Sequence, residues 1–367
     1  MIKPFSLALA LTLAVAPIAT VTAQDARPVV PISASDRSEV IAALGETLQA
    51  DYIFPDVAER VAKALKAKNA EGGYAAATNA EAFSELLSKD LRELGKDSHF
   101  RVAYAPGYTP RPTTLSDAPP PKEEIEQMRR ELSSVAFGLQ RVELLHGNVG
   151  YIELRGFGPT EIVGEALGAA MQMMSGTEAL ILDLRRNGGG EPSTVAFLMS
   201  HFFAEGDRRH LNDIYTRAIN RTEEYWTDGK VRSRYLKPVY VLTAPRTFSG
   251  GEECAYDFQT QKRGILVGEP TGGGSNPGDD FSITHDFVAF IPTGKAINPI
   301  THTNWEHVGV KPDIAVPAAD ALKTAHAAAL RTLVAASTNP DEKAYLEDSL
   351  HKVETGVVDA PRYTARP

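Results

Sequence analysis

The chain has 367 residues, with 43% apolar residues, 23% charged residues and a formal net charge of −9. That length suits one large domain or two ordinary ones, and the composition is that of a soluble globular protein. No basic run or stripe appears, which argues against nucleic acid as a partner. Lys3, the apolar residues 5–16 and the small residues Val21-Thr22-Ala23 read as a signal peptide over 1–23, cut before Gln24. The mature chain is therefore expected to be exported, periplasmic or secreted. The apolar run is too short to span a bilayer and no later run is long enough, so no membrane span is expected. Cys254 is the only cysteine. An exported chain without an internal disulfide must rely on its core, and this thiol reads as a small buried hydrophobe.

Residues 24–105 read as a small helical domain. Val40, Leu44 and Leu48 share one face of a first helix. Val57, Val61 and Leu65 share one face of a second, after Pro55. Phe83, Leu86, Leu87 and Leu91 mark a third, with Asn79 as its cap. A short strand is expected at 100–104. Residues 106–134 combine a proline-rich linker with a charged helix at 122–132. Residues 135–336 read as a β/α domain. A hairpin turns at His146-Gly147-Asn148, followed by a helix at 161–174, a strand at 179–184 and a helix at 192–203. Strands follow at 238–243 and 265–267, then an antiparallel addition at 281–291 and an alanine-rich helix at 318–334. This alternation implies a largely parallel sheet covered by helices. Residues 337–367 read as a C-terminal tail.

Thr247-Phe248-Ser249-Gly250-Gly251-Glu252 joins a buried strand to a helix. Such a corner exposes a serine hydroxyl, and the first N–H groups of the helix can hold an oxyanion. The same residues also read as a capping box, with Ser249 as N-cap and Glu252 three positions on. Three other places can complete a site. In Lys96-Asp97-Ser98-His99-Phe100, His99 is a candidate general base, against the reading of an ordinary core histidine. In Asp183-Leu184-Arg185-Arg186-Asn187-Gly188-Gly189-Gly190, the glycines allow backbone to approach a ligand, or form a tight turn only. No Gly-Lys-Ser/Thr follows, so this is not a phosphate loop. Glu306 is a candidate to hold a serine or histidine in place, against the reading of a surface carboxylate. His302 and His307 lack helical ligand spacing and no His-Glu-x-x-His pair occurs, so neither a metal nor a cofactor is expected.

In this order, several stretches together resemble one family. They are Asp51-Tyr52-Ile53-Phe54-Pro55, Gly147-Asn148-Val149-Gly150-Tyr151-Ile152, the Asp183 to Gly190 segment, Thr247-Phe248-Ser249, Val267-Gly268-Glu269, Ile297-Asn298-Pro299-Ile300 and Gly309-Val310-Lys311-Pro312-Asp313. The family is that of the tail-specific, or C-terminal-processing, serine peptidases, with the tricorn core and the modules of interphotoreceptor retinoid-binding protein. The resemblance runs from about residue 35 to 333. It implies an α/β fold: a crotonase-like β/α core behind a helical N-terminal domain. It implies Ser249 as nucleophile, Ser98 and His99 as the serine–histidine pair of a tetrad, and Glu306 as its acid. It also implies an oxyanion hole from the N–H groups of Gly250 and the glycine turn, with Gly189 as the expected donor. The expected substrate is a peptide or protein. The alternative is a module that binds retinoid, fatty acid or another apolar ligand. Two departures from the family pattern stand out. Residues 268–278 contain no lysine, which argues against a Ser–Lys dyad. Residues 104–135 are too short and proline-rich for a PDZ domain.

Overall fold

The structure, a computed structural model, describes residues 29–110 and 121–357. The expected signal peptide, residues 111–120 of the linker and residues 358–367 of the expected tail lie outside the described residues. Three helices come first: α1 (Ala34–Asp51), α2 (Pro55–Ala70) and α3 (Ala80–Gly95). Each begins where the sequence marks it. Ser33 caps α1, and Pro55 opens α2, where a missing N–H costs nothing. The Asn79 side chain accepts the Ala82 N–H at 2.8 Å. Leu44, Leu48, Val61, Leu65, Leu87 and Leu91 bury the shared apolar faces. The chain leaves α3 through Lys96 (φ +57°) and enters β1 (Arg101–Tyr104).

The remainder alternates strands and helices. After α4 (Lys122–Ser134) come β2 (Leu139–Leu145) and β3 (Val149–Leu154), the expected hairpin. Then follow α5 (Thr160–Met174), β4 (Ala179–Asp183) and α6 (Pro192–Ser200). β5 (His210–Thr216) and β6 (Arg221–Trp226) form a second hairpin. β7 (Val239–Thr243), α7 (Gly250–Thr260) and β8 (Ile265–Gly268) carry the chain back into the core. The last strands are β9 (Gly278–Ser282), β10 (Phe287–Pro292), β11 (Gly294–Ile297) and β12 (Ile314–Ala315). Two helices close the fold, α8 (Ala321–Ala336) and α9 (Pro340–Thr355). α9 occupies the stretch read as a tail and buries Leu346 and Val353 in the core shared with α8.

The central sheet has the order β12-β8-β7-β4-β3-β2, parallel except for β2. Its middle strands are buried throughout because both faces are covered. Ile152, Leu154, Leu180, Leu182, Val239 and Val241 share a core with α5, α6 and α7. Tyr151, Ile181, Tyr240 and Leu242, offset by one residue, pack with α8 and α9. This period of two places α7, and the corner before it, at the end of a buried strand.

β9 and β10 do not extend this sheet. Arg101 pairs with Phe290 and Val102 with Ala289, so the small sheet has the order β1-β10-β9. Phe281, Phe287, Ala289 and Ile291 complete the core of the N-terminal helices. The expected antiparallel addition at 281–291 therefore forms, but on the helical unit. It brings the corner between α3 and β1 against the loop after β7, where the His99 and Phe248 rings lie 4.6 Å apart. Among the described residues no PDZ-like unit separates the two parts.

Candidate active site

The corner after β7 is tied down before the helix begins. The Thr247 hydroxyl donates to the Leu184 carbonyl at 2.8 Å and accepts the Ala244 N–H at 3.1 Å. The Phe248 N–H donates to the Asn187 carbonyl at 3.0 Å. Ser249 then adopts φ +53°, ψ −123°. An ordinary N-cap is extended, whereas this conformation costs a non-glycine residue roughly 1–3 kcal/mol. Such strain persists only where neighbours over-determine it.

Glu252 is one of those neighbours. Its carboxylate is fully buried and accepts four hydrogen bonds. Oε2 takes the Ser249 N–H at 2.9 Å and the Gly274 N–H at 2.8 Å. Oε1 takes the Thr271 hydroxyl at 2.5 Å and the Gly273 N–H at 2.6 Å. Burial raises the carboxyl above its ordinary value, and these four bonds oppose the rise. The capping-box spacing in the sequence thus marks a clamp between the Ser249 corner and the Gly272 to Gly274 loop.

The second glycine turn packs against the same corner. A Cβ on Gly189 would lie 2.7 Å from the Ser249 Cβ, and one on Gly190 would lie 2.0 Å from the Phe157 carbonyl oxygen. Both have positive φ, so no other residue type fits. Gly189, the expected oxyanion donor, gives its N–H to Asn187 Oδ1 at 2.8 Å. The Gly190 and Gly250 N–H groups have no acceptor in the described chain, and Gly250 as first residue of α7 has none within the helix. Gly190 and Gly250 thus offer two N–H groups without an acceptor beside the Ser249 corner. Asn187, fully buried, shapes the turn through Gly189 and the Leu154 carbonyl (3.1 Å).

His99 and Ser249 line one cleft of about 810 Å³. Both His99 ring nitrogens are buried without a hydrogen-bond partner. Nδ1 lies 3.3 Å from Asp97 Oδ1, within ion-pair reach but off the line of a hydrogen bond. Ser98 is exposed, lines the cleft, and makes no side-chain hydrogen bond to Glu306. Glu306 Oε2 accepts the Ser275 N–H at 2.5 Å and the Ser275 hydroxyl at 3.1 Å. Burial first, and Asp97 second, raise its carboxyl, while His99 acts to lower it. Glu306 thus lies in the field of the histidine without touching it. Sequence reasoning passed over Asp97, Asn187 and the role of Glu252, although all three stand inside the quoted motifs.

The cleft joins apolar Ile214, Tyr225 and Phe290 to charged Arg101, Glu191 and Glu223. Behind it, α7 buries two more acids, Glu253 and Asp257, one turn apart. Burial pushes Glu253 up to about 8 and raises Asp257 well above the carboxylate range, with Glu253 as a further cause. Among the described residues no three His, Cys, Asp or Glu side chains gather as a metal-binding group. No described helix is long and apolar enough to cross a membrane.

Two family models match the chain. One, described as Peptidase family S41, matches residues 148–316, and the other, the N-terminal domain of Peptidase_S41 in eukaryotic IRBP, matches residues 26–141. Carboxyl-terminal-processing peptidase 2, chloroplastic, of Arabidopsis thaliana is 28% identical over 177 residues, 46% of this chain and 32% of that protein. The tail-specific protease of Haemophilus influenzae is 33% identical over 96 residues, 26% of this chain and 13% of that protein. The chain thus spans less than half the length of these relatives. Among solved structures, mature CPAF complexed with lactacystin has a TM-score of 0.54 at 12% identity, covering 88% of this chain and 98% of that one. A lipoprotein from Streptococcus agalactiae has a TM-score of 0.51 at 14% identity, covering 83% and 98%. At these identities the structural likeness concerns the fold.

Proposed function

Since the chain belongs to peptidase family S41, we propose that it is an exported serine peptidase in which Ser249 attacks a peptide carbonyl and His99 is the general base. The observation that carries this reading is the strained Ser249 backbone, which sets the residue beside two unpaired N–H groups in the cleft that His99 also lines. The Ser249 hydroxyl adds to the carbonyl carbon and its proton passes to His99 Nε2. The carbonyl oxygen becomes an oxyanion held by the Gly250 and Gly190 N–H groups, each worth roughly 3 kcal/mol of barrier. His99 then protonates the leaving amine. A water, deprotonated by His99, attacks the acyl-enzyme and releases the new carboxyl end.

Of the remaining tetrad members, Glu306 supports the site from behind by fixing Ser275 and facing His99 with its charge. Ser98 stands at the cleft wall beside the base. For the alternative apolar ligand the cleft offers Ile214, Tyr225 and Phe290, while Phe281 and Phe287 are committed to the core of the helical unit. A fluorophosphonate probe is expected to label the wild-type chain and not Ser249→Ala, and a peptide library to be cut only by the wild type. Equal labelling of Ser249→Ala would sink the assignment. Export predicts that a mature chain recovered from its host begins at Gln24, which N-terminal sequencing checks.

A further inference from the structure

Asp97 is buried, 1% exposed, and its contacts converge on the His99 residue. Oδ1 accepts the His99 backbone N–H at 3.0 Å and lies 3.3 Å from the ring Nδ1. Oδ2 accepts the Asn276 amide at 2.9 Å. The imidazole is its only ion-pair contact among the described residues. Neutral donors thus hold this carboxylate in place without cancelling its charge. When His99 takes the proton of Ser249, a full positive charge forms beside this carboxylate, and the attraction between them grows in the transition state.

We propose that Asp97 is the positioning residue for His99: it holds the ring with Nδ1 protonated and Nε2 bare toward Ser249, and it offsets the imidazolium. This rests on the reading of Ser249 as nucleophile and His99 as base. Glu306 has the weaker geometry for the task. Its Oε2 is taken up by Ser275, and its Oε1 lies 3.5 Å from Nδ1 of the exposed His307. Ser98 makes no hydrogen bond to either acid. One side chain, two residues before the histidine, thereby fixes its backbone and stands beside its ring. Asn276 follows the Gly272 to Gly274 loop that Glu252 clamps to the Ser249 corner, so Asp97 is tied to that corner through it.

The test combines peptide kinetics, fluorophosphonate labelling and nitrogen-15 spectra of the His99 ring, all on the full chain. Asp97→Asn is expected to lower kcat about 10²–10⁴-fold while KM changes less than about threefold. Asn276→Ala, which removes one support of the carboxylate, is expected to lower kcat less, again at steady KM. Ser98→Ala and Glu306→Gln are expected to fall short of the Asp97→Asn loss. The wild-type ring is expected to carry its proton on Nδ1 when neutral, and Asp97→Asn to move it to Nε2. Should Asp97→Asn fail to fold, the wild-type tautomer and Asn276→Ala decide the matter. A neutral wild-type ring protonated on Nε2 overturns the proposal, as does a Ser98→Ala or Glu306→Gln loss equal to that of Asp97→Asn. A wild-type chain that the probe does not label defeats the hydrolase reading instead, and the spectra still decide the tautomer.

Discussion

Ser33 and Ser249 each stand at the start of a helix with an acidic residue three positions on, the same spacing in two settings. At Ser33 the backbone is extended (φ −82°, ψ 167°). Its hydroxyl accepts the Asp36 N–H at 3.1 Å, and Asp36 returns a bond to the Ser33 N–H at 2.8 Å, all on the surface. At Ser249 the backbone lies at positive φ, and the Glu252 N–H that a capping hydroxyl would take goes to the Ser249 carbonyl at 2.8 Å. The acids respond oppositely. Hydrogen bonds from Ser33 hold Asp36 below its ordinary value, whereas burial raises Glu252. A cap spacing alone therefore does not separate a stabilising serine from a reactive one. Backbone strain and the burial of the partner acid do.

The largest break in this comparison is expected from Glu252→Ala. It strands the Ser249, Gly273 and Gly274 N–H groups and the Thr271 hydroxyl. Each stranded buried donor costs about 1–3 kcal/mol, so a loss of roughly 3 kcal/mol or more is expected in a urea titration. Fluorophosphonate labelling is expected to fall with it, because the strained corner loses its clamp. Ser33→Ala is expected to cost only about 1 kcal/mol and to leave labelling intact. Equal labelling of Glu252→Ala and wild type would show that Glu252 does not hold the reactive geometry.

An effect smaller per pH unit is expected on titration. α1 keeps Asp36 in water, whereas α7 buries Glu253, whose carboxyl is pushed up to about 8 from an ordinary 4.5. The folded chain therefore holds a proton that the unfolded chain releases above about pH 4.5. The stabilisation is fully present below that pH and is lost as the pH rises to about 8, at up to about 1.4 kcal/mol per pH unit. Glu253→Gln is expected to flatten this part of the stability curve, as read from urea midpoints. An unchanged slope would mean that Glu253 is not the group that titrates.

Periodicity and caps were enough to place the helices of the N-terminal unit and the core strands from β3 to β8, because buried strands and amphipathic helices carry their patterns locally. The β5–β6 hairpin left no such signal. β6 reads Arg-Thr-Glu-Glu-Tyr-Trp and is mostly solvated. The partner of β10 was equally hidden, since its pairing with β1 joins residues almost two hundred positions apart. In the site, Ser249, His99 and the glycine turn were visible as motifs, and the structure brings them together. That Gly189 gives its N–H to Asn187 was not visible, because it depends on where the Asn187 amide points. Asp97 stood in plain view two residues before His99, but only its burial and its distance from Nδ1 single it out from an ordinary aspartate.

The smallest expected effect goes furthest into the strain itself. If the Ser249 backbone stores roughly 1–3 kcal/mol, glycine should release it, because glycine adopts positive φ without a Cβ clash. Part of that gain is offset by the greater freedom of glycine in the unfolded chain, about 0.5–1 kcal/mol. Ser249→Gly is therefore expected to be more stable than the wild type by roughly 1 kcal/mol while losing all labelling, a trade of activity for stability. The same change at Ser33 acts on a relaxed backbone and is expected to cost a few tenths of a kcal/mol. The two variants should thus move the urea midpoint in opposite directions. A Ser249→Gly chain destabilised as much as, or more than, Ser33→Gly would mean that the corner is relaxed and that its positive φ is no mark of function.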